Sequence, residues 1–275
     1  MLMAPNTIIC SFMEQELTQV DIIDLRKEPS RYWQVIAIAK AQVAEGDFKL
    51  EPIIMSDLKF DINTANLLRS LKLDEASDDA QTVLGLVEEA LKVAKPKAMF
   101  KEAFIDETGH DYVVVDGIRF KSRVLRVNLG EVHRVFPYVV TAGRELDEWS
   151  SGVEGMLEQY WADQIKEAVL SAAYRDFTAR LVAGHGLGTT ASMNPGSLED
   201  WPISEQRKLF DLVGDTMEGI GVELTDSYLM IPAKSVSGIR YATEVTYENC
   251  QLCSRENCPG RRAPYDPLLW EKRYK

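Results

Sequence analysis

Three cysteines near the end of the chain have a spacing that suits a metal ion. They are Cys250, Cys253 and Cys258, in the segment C-Q-L-C-S-R-E-N-C. The C-x₂-C pair brings two thiolates into one tight turn, and the third thiol can reach the same ion. Zinc prefers tetrahedral ligation, whereas iron–sulfur clusters are held mainly by cysteine thiolates. Because the chain has four cysteines, Cys10 is the candidate for a further ligand.

The residues around these cysteines favour a metal site over structural thiols. Most side chains between the cysteines are polar: Gln251, Ser254, Arg255, Glu256 and Asn257. Such a segment cannot become ordered by burying its own side chains, and the nearby arginines would favour thiolates over thiols. We therefore predict a metal centre, with an iron–sulfur cluster ahead of zinc. Reduced structural thiols or a disulfide are the alternatives.

Two loops upstream of the cysteines carry the other chemically suggestive residues. The first is S-M-N-P-G-S-L-E-D-W-P (192–202), in which Pro-Gly favours a sharp turn or a close approach of the backbone to a ligand. The second is M-I-P-A-K-S-V-S-G-I (230–239), which offers hydroxyl groups and one cation. Between the two loops, apolar residues at helical spacing predict a helix over 203–218.

The elements that must position these loops are helices and strands without strict alternation. Apolar spacing predicts a helix over 77–94, stopped by Pro96, and a longer helical region over 145–183, broken near 150–152. Asp116-Gly117 between runs of β-forming residues predicts a hairpin, and 135–141 predicts another strand. This distribution indicates an α+β fold rather than a doubly wound sheet.

Several segments together are similar to a known family. A Pro-Gly turn, a helix and then M-x-P-x-K-S-V-S-G-I resemble the reactivation domain of cobalamin-dependent methionine synthase, and more closely its stand-alone relatives. The segments G-I-R-F-K-S-R-V-L (117–125) and V-V-T-A-G-R-E-L (139–146) also resemble that family. The resemblance implies an antiparallel sheet with helices over residues 58–244. Residues 1–57 would form a small N-terminal cap, and 245–275 a cysteine-containing tail.

The resemblance also implies a ligand site built from both loops. In that family the domain binds S-adenosylmethionine, and the matching positions here are Asn194, Pro195, Gly196, Ser197, Lys234, Ser235, Ser237, Gly238 and Tyr241. The family motif R-x-x-P-G-Y-P, however, has Ser192 at its arginine and Ser197 at its tyrosine in this chain. Because a serine cannot clamp a carboxylate as an arginine does, we expect S-adenosylmethionine to bind weakly or not at all.

The implied function is that of an accessory protein for a corrinoid-dependent methyltransferase system. Its partner would be a corrinoid protein or corrinoid methyltransferase, whose cobalt is restored by reduction and methyl transfer, with the cysteine site delivering the electron. The alternative is a non-catalytic binding or assembly module with a structural metal site. The net charge of −12 argues against nucleic acid as a partner. The absence of long apolar runs and of an export signal predicts a cytoplasmic protein away from membranes.

The remaining motifs are expected to be structural. We found no serine nucleophile elbow, paired catalytic carboxylates or P-loop, so no catalytic residue is assigned. The segment G-H-G-L-G (184–188) follows a helix, which favours a helix end and loop over a dinucleotide site, with His185 solvated. Trp201 and Phe210 are expected to pack in the core rather than to form an aromatic wall for a cofactor.

Overall fold

The computed structural model describes residues 50–244, 247–258 and 260–275. The chain divides into two compact units, Met1–Lys49 and Leu50–Lys275. Residues 1–49 of the predicted N-terminal cap, with Cys10 among them, lie outside the described residues. The division falls earlier than the boundary expected after residue 57, because Ile53–Met55 pairs with the main sheet.

Helices and strands alternate irregularly along the second unit. The strands are β1 (Ile53–Met55), β2 (Lys97–Phe100), β3 (Ala103–Thr108), β4 (Tyr112–Val115), β5 (Ile118–Lys121), β6 (Arg134–Thr141), β7 (Thr190–Met193), β8 (Glu223–Leu224), β9 (Met230–Ile231) and β10 (Ser235–Ala242). The α-helices are α1 (Thr64–Leu71), α2 (Asp78–Val93), α3 (Arg123–Asn128), α4 (Arg144–Ser151), α5 (Met156–Gly184), α6 (Gln206–Val213) and α7 (Thr216–Ile220).

The main sheet is antiparallel and is centred on β6. One edge of β6 pairs first with β3 and then with β2, while its other edge pairs with β10 over seven residues. Strand β7 continues the sheet beyond β10. Strands β8 and β9 form a separate two-stranded sheet. The predicted α+β class with an antiparallel sheet is confirmed.

The sheet is buried on both faces, because successive side chains of a strand point to opposite sides. In β6, Val135 and Val139 belong to one hydrophobic cluster, together with Trp201 and with residues of α3 and α6, Phe210 among them. Phe136 and Val140 belong to a second cluster, under α2 and α5. Trp201 and Phe210 are core residues, as expected from the sequence.

The Asp-Gly hairpin forms where the sequence places it. Asp116 and Gly117 have φ angles of 44° and 81°, the left-handed values that a tight hairpin turn between β4 and β5 requires. The Asp116 carboxylate also accepts a hydrogen bond from Phe104 N, at 3.0 Å, and lies 3.2 Å from the Lys101 ammonium. A residue selected for its turn geometry therefore also forms a buried ion pair.

The predicted single helix over 203–218 is wrong in one respect. The segment starts as a 3₁₀ turn (Ile203–Glu205), continues as α6, stops at Gly214 and restarts as α7. Gly214 has a φ of 110°, and the Asp215 side chain caps α7 by accepting from Glu218 N. The apolar spacing continues across this interruption, so periodicity alone does not reveal it.

The break between α4 and α5 and the helix end before residue 188 are confirmed, but the expectation that His185 is solvated is wrong. Its side chain is 10% exposed and packs edge-on against Phe100 and Phe136. It lies 4.0 Å from the Glu102 carboxylate, which also binds Arg134. Burial holds the pKa of His185 below its ordinary value of 6.5, despite the hydrogen bond to Leu181 O and the charge of Glu102.

We expect this histidine to make the protein less stable in mild acid. Because its pKa is lower in the folded chain, the unfolded chain binds more protons below about pH 6.5. Above that pH the histidine is neutral in both states and does not lower the stability of the fold. As the pH falls below it, protonation of the unfolded chain lowers the free energy of unfolding. Urea unfolding between about pH 7 and about pH 5.5 should show a smaller pH dependence in His185→Gln than in the wild type. His110→Gln, at an exposed position, should leave the dependence unchanged; equal slopes in the wild type and His185→Gln would contradict this account.

The C-terminal tail packs against α3. Tyr274 is 1% exposed, and its hydroxyl donates to Asn128 Oδ1 at 3.0 Å. The Arg123 guanidinium donates to the carbonyl oxygens of Tyr274 and Lys275.

In the described part of the chain, no helix has both the length and the apolar character that crossing a bilayer demands.

Candidate functional site

The first predicted loop forms a tight turn at the end of β7. Ser197 N donates to Asn194 O at 3.2 Å, which closes a four-residue turn with Pro195 and Gly196 at its centre. Gly196 has a φ of 79°, so the turn is type II, with proline and glycine at their preferred positions. Gly196 and Ser197 are exposed, but their backbone N–H groups donate within the chain, to Trp201 O at 2.8 Å and to Asn194 O.

The Asn194 side chain joins this turn to the neighbouring elements. Its amide nitrogen donates to Ser237 O at 2.7 Å and to Tyr138 Oη at 3.1 Å. Its carbonyl oxygen accepts from Asn249 Nδ2 at 3.2 Å. Asn249 directly precedes Cys250, so one asparagine connects the ligand loop, strand β10 and the start of the cysteine segment.

A cluster of hydroxyl groups and one arginine lies beside Asn194, between the sheet and α5. Tyr138 Oη is 2.7 Å from Ser192 Oγ and 2.8 Å from Tyr174 Oη. The Arg240 guanidinium donates to Tyr174 Oη at 2.7 Å and to Thr190 Oγ1 at 2.9 Å. Burial, together with the neighbouring Tyr174, raises the pKa of Tyr138, so the phenol stays protonated and can donate a hydrogen bond.

Gly238 is the point where the sheet approaches this cluster most closely. A Cβ atom on Gly238 would lie 2.6 Å from Asn194 Nδ2, 2.6 Å from Met193 O and 2.8 Å from Tyr138 Oη. Two of these atoms belong to hydrogen-bonded side chains and one to the backbone, so none can move freely. Glycine is required here by lack of space.

We therefore expect Gly238→Ala to destabilise the fold and disturb the cluster. Inserting a methyl group into a fully packed site typically costs about 1–3 kcal/mol. Gly85 is a matched control, since a Cβ there meets no atom within 4 Å and the residue is exposed on α2. Gly85→Ala should stabilise the protein by up to about 1 kcal/mol through helix propensity. Urea denaturation measures both; a neutral Gly238→Ala would show that the site is looser than described.

The other predicted residues of the second loop are committed to structural contacts. The Lys234 ammonium lies 3.0 Å from Asp163 and 3.4 Å from Glu167, both on α5. Burial alone would lower the pKa of Lys234, but its hydrogen bonds and the charges of these acids raise it. Ser235 Oγ donates to Pro232 O at 2.8 Å and lies 2.9 Å from Thr141 Oγ1. The Ser237 carbonyl accepts from the Asn194 amide.

Tyr241 does not join the predicted site. Alternation along β10 places it on the face opposite Gly238 and Arg240, where it is 1% exposed in the cluster that contains Ile239 and Tyr274. Burial, followed by the charge of Tyr274, raises its pKa, so it is a neutral core residue. We leave Tyr241 out of the candidate ligand site.

The cysteine segment is ordered around Arg261. Its guanidinium donates to Cys250 O at 3.0 Å, to Cys253 O at 3.2 Å and to Ala263 O at 3.3 Å, and also contacts Arg255 O. The backbone N–H of Arg262 donates to Cys250 Sγ at 3.4 Å. Cys250, Cys253 and Cys258 are half-buried free thiols. Over the residues that the structure covers, no group of three or more His, Cys, Asp or Glu side chains is arranged to hold a metal ion.

Reasoning from the sequence missed three members of the cluster: Tyr138, Tyr174 and Arg240. Tyr138 and Tyr174 lie in elements distant from both loops, and no motif marks them. Arg240 follows the second loop directly, and its even spacing from Gly238 places it on the same strand face, which period-two alternation could have revealed.

Known proteins match both the fold of this chain and the sequence of residues 197–260. The family model for the vitamin B12-dependent methionine synthase activation domain matches residues 197–260, a range that extends through the cysteine segment. A crystal structure of the MetH reactivation domain bound to AdoHcy matches with a TM-score of 0.54 and 14% identity, covering 74% of this chain and 82% of that chain. No curated protein sequence matches. The resemblance inferred from the loops is thus confirmed: this chain has the fold of a methionine synthase reactivation domain and carries that family's sequence pattern over residues 197–260.

Proposed function

We propose that this protein assists the reductive reactivation or methyl transfer of a corrinoid protein, as an accessory protein of a corrinoid-dependent methyltransferase system. The observation that carries this proposal is the activation-domain match over residues 197–260, which includes both the Lys234–Gly238 segment and the three cysteines. The reactivation-domain fold over most of the chain supports it. A cytoplasmic location is the expectation that accompanies this role.

The turn at Asn194–Ser197 is the surface we assign to the corrinoid partner. Gly196 and Ser197 at this turn are exposed, so a partner can contact them. The partner, a corrinoid protein or corrinoid methyltransferase, holds the cofactor. The turn of this chain would contact that partner, because surface turns on a rigid sheet commonly carry binding residues.

The cysteine segment is the proposed metal centre, with Cys250, Cys253 and Cys258 as ligands and Cys10 as a further candidate. The support for this role is the cysteine spacing and the half-buried, unpaired state of the thiols. Metal binding would have to draw the three sulfurs together, because among the described residues they do not form a ligand cluster. An iron–sulfur cluster supplies one-electron transfer when it is bound. The Asn249–Asn194 hydrogen bond connects this segment to the ligand loop.

A charge change at the proposed partner surface tests this function. Ser197→Glu adds a negative charge to the exposed turn, and Ser70→Glu makes the same change on exposed α1. Each tagged protein is used to capture partners from oxygen-free lysate, and bound corrinoid is read from its visible absorption. We expect wild type and Ser70→Glu to recover a corrinoid protein and Ser197→Glu to recover much less. Wild-type protein that recovers no corrinoid would contradict the proposal.

A second candidate function is a binding or assembly module with a structural metal site. The ordering of the cysteine segment by Arg261 favours it, because those hydrogen bonds hold the backbone without an electron-transfer centre. Metal analysis of protein purified without oxygen separates the two. Brown protein with several irons per chain supports reactivation, whereas colourless protein with zinc supports the assembly module.

A further inference from the structure

Two of the three C-terminal cysteines lie in one turn of 3₁₀ helix. The helix covers Asn249–Gln251, and the same i to i+3 pattern continues where Cys253 N donates to Cys250 O at 3.3 Å. Because residues three apart eclipse each other in a 3₁₀ turn, the side chains of Cys250 and Cys253 project from the same side of it. Cys258 belongs to the next turn, which Arg261 N closes by donating to Cys258 O at 3.2 Å.

The backbone of this turn suits a disulfide. The first and fourth residues of such a turn have Cα atoms less than about 7 Å apart, and disulfides join residues whose Cα atoms are about 4.4–6.8 Å apart. The Arg261 guanidinium fixes both ends of the turn, because one terminal nitrogen donates to Cys250 O at 3.0 Å and the other to Cys253 O at 3.2 Å. Glu248 N also donates to the Gln251 side chain at 3.1 Å. Rotation of the two cysteine side chains therefore suffices to join their sulfurs.

The reduced thiols are available to a small reagent but are not gathered around an ion. All three are half-buried and free. The residues that follow the pair, Ser254 and Arg255, are exposed. Within residues 50–244, 247–258 and 260–275, no three His, Cys, Asp or Glu side chains are arranged to hold a metal ion. This geometry suits a bond between two sulfurs, whereas a metal site requires the third to move closer.

We propose that Cys250 and Cys253 form a reversible disulfide when no metal occupies the segment, with a small disulfide such as glutathione disulfide as the oxidant. One cysteine thiolate attacks the reagent, forms a mixed disulfide and releases one thiol. The other cysteine then displaces the second half of the reagent and completes the Cys250–Cys253 bond. The two cysteines thus lose two electrons and two protons, and the reagent gains them as two thiols. A dithiol reductant reverses the reaction.

The disulfide excludes metal from the segment, because the bonded sulfurs are no longer thiolates. The bond also follows directly after Asn249, whose side chain donates to Asn194 Oδ1 at 3.2 Å. The redox state of the pair is therefore set beside the turn at Asn194–Ser197. Formation of the disulfide depends neither on a corrinoid partner nor on a metal centre; only its effect on metal binding rests on the proposed function.

Trapping the thiols of metal-free protein tests the proposal. Reduced, chelator-treated protein is equilibrated in glutathione buffers of increasing oxidised fraction, and its remaining thiols are alkylated before peptide mapping. Wild type and Cys258→Ser should yield a peptide with an internal Cys250–Cys253 bond, and Cys253→Ser should yield none. Arg261→Gln should need a buffer at least about fivefold more oxidising for half conversion, the effect of losing one hydrogen bond. Arg255→Gln removes the same charge at an exposed position and should behave as the wild type.

The outcomes separate this inference from the proposed metal centre. Free Cys250 and Cys253 in the most oxidising buffer, or a bond from either of them to Cys258, overturns the disulfide. Equal conversion of wild type and Arg261→Gln overturns the role assigned to the fixed turn. Zinc and, without oxygen, ferrous iron with sulfide are offered in parallel to reduced and oxidised protein, and we expect only the reduced protein to bind metal. Reduced protein that binds neither metal but still forms the disulfide would leave this inference standing and remove the metal centre.

Discussion

Replacing Cys253 by serine is expected to abolish metal binding and loosen the C-terminal tail. Cys253 is the middle cysteine of the segment, so its loss separates the two remaining thiols. Thiolate ligation of a structural metal can contribute about 10 kcal/mol or more to the order of a small segment. Metal analysis and the melting temperature of oxygen-free protein measure the effect. We expect iron or zinc to fall to background and the tail to become sensitive to proteolysis.

Two further variants sharpen this test. Ser254→Ala changes an exposed neighbour and should keep the metal. Cys10→Ser should only weaken binding if three cysteines suffice, and should abolish it if Cys10 is a required ligand. Because Arg261 also holds the carbonyls of Cys250 and Cys253, loss of the metal should loosen this segment without unfolding it completely. Wild-type protein with neither iron nor zinc, and an unchanged melting temperature in Cys253→Ser, would show that the site does not exist.

Lys101→Met is expected to cause the largest loss of stability in the sheet. Lys101 and Asp116 form an ion pair whose side chains are 7% and 4% exposed. Removing one partner leaves an uncompensated buried charge, which typically costs about 3–5 kcal/mol. Urea unfolding at neutral pH measures the loss. Lys95→Met is the matched control, since the Lys95 side chain is 66% exposed and its pair with Glu145 should contribute no more than about 1 kcal/mol.

The double variant Lys101→Met with Asp116→Asn tests the reason for this loss. Asparagine tolerates the left-handed φ of position 116 and can still accept the hydrogen bond from Phe104 N. With both charges gone, the penalty of an unpaired ion disappears. We expect the double variant to be more stable than Lys101→Met alone. A double variant that loses the sum of both single effects would mean that the charges do not interact.

The sequence by itself determined the local geometry. Asp116, Gly117 and Gly196 specify their turns because few other residues adopt positive φ without strain, and Pro195 fixes the φ that precedes Gly196. Ser77 specifies the start of α2, since its side chain caps Ala80 N. The cysteine spacing specified a compact segment but not its metal. These features depend on neighbours in the chain, so a single sequence contains them.

Only the tertiary structure decided which groups meet in the site. Arg240 faces Ser192 because β7 pairs with β10 in one register. Tyr174 on α5 binds Arg240 directly and is linked to Ser192 through Tyr138. Lys234 was a free cation in the sequence and is neutralised by two acids of that same helix. Such contacts join residues far apart along the chain, and no local preference fixes them. Packing of the two sheet faces selects one register, and that register places the buried Arg240 beside Ser192, the position at which the family motif has its arginine.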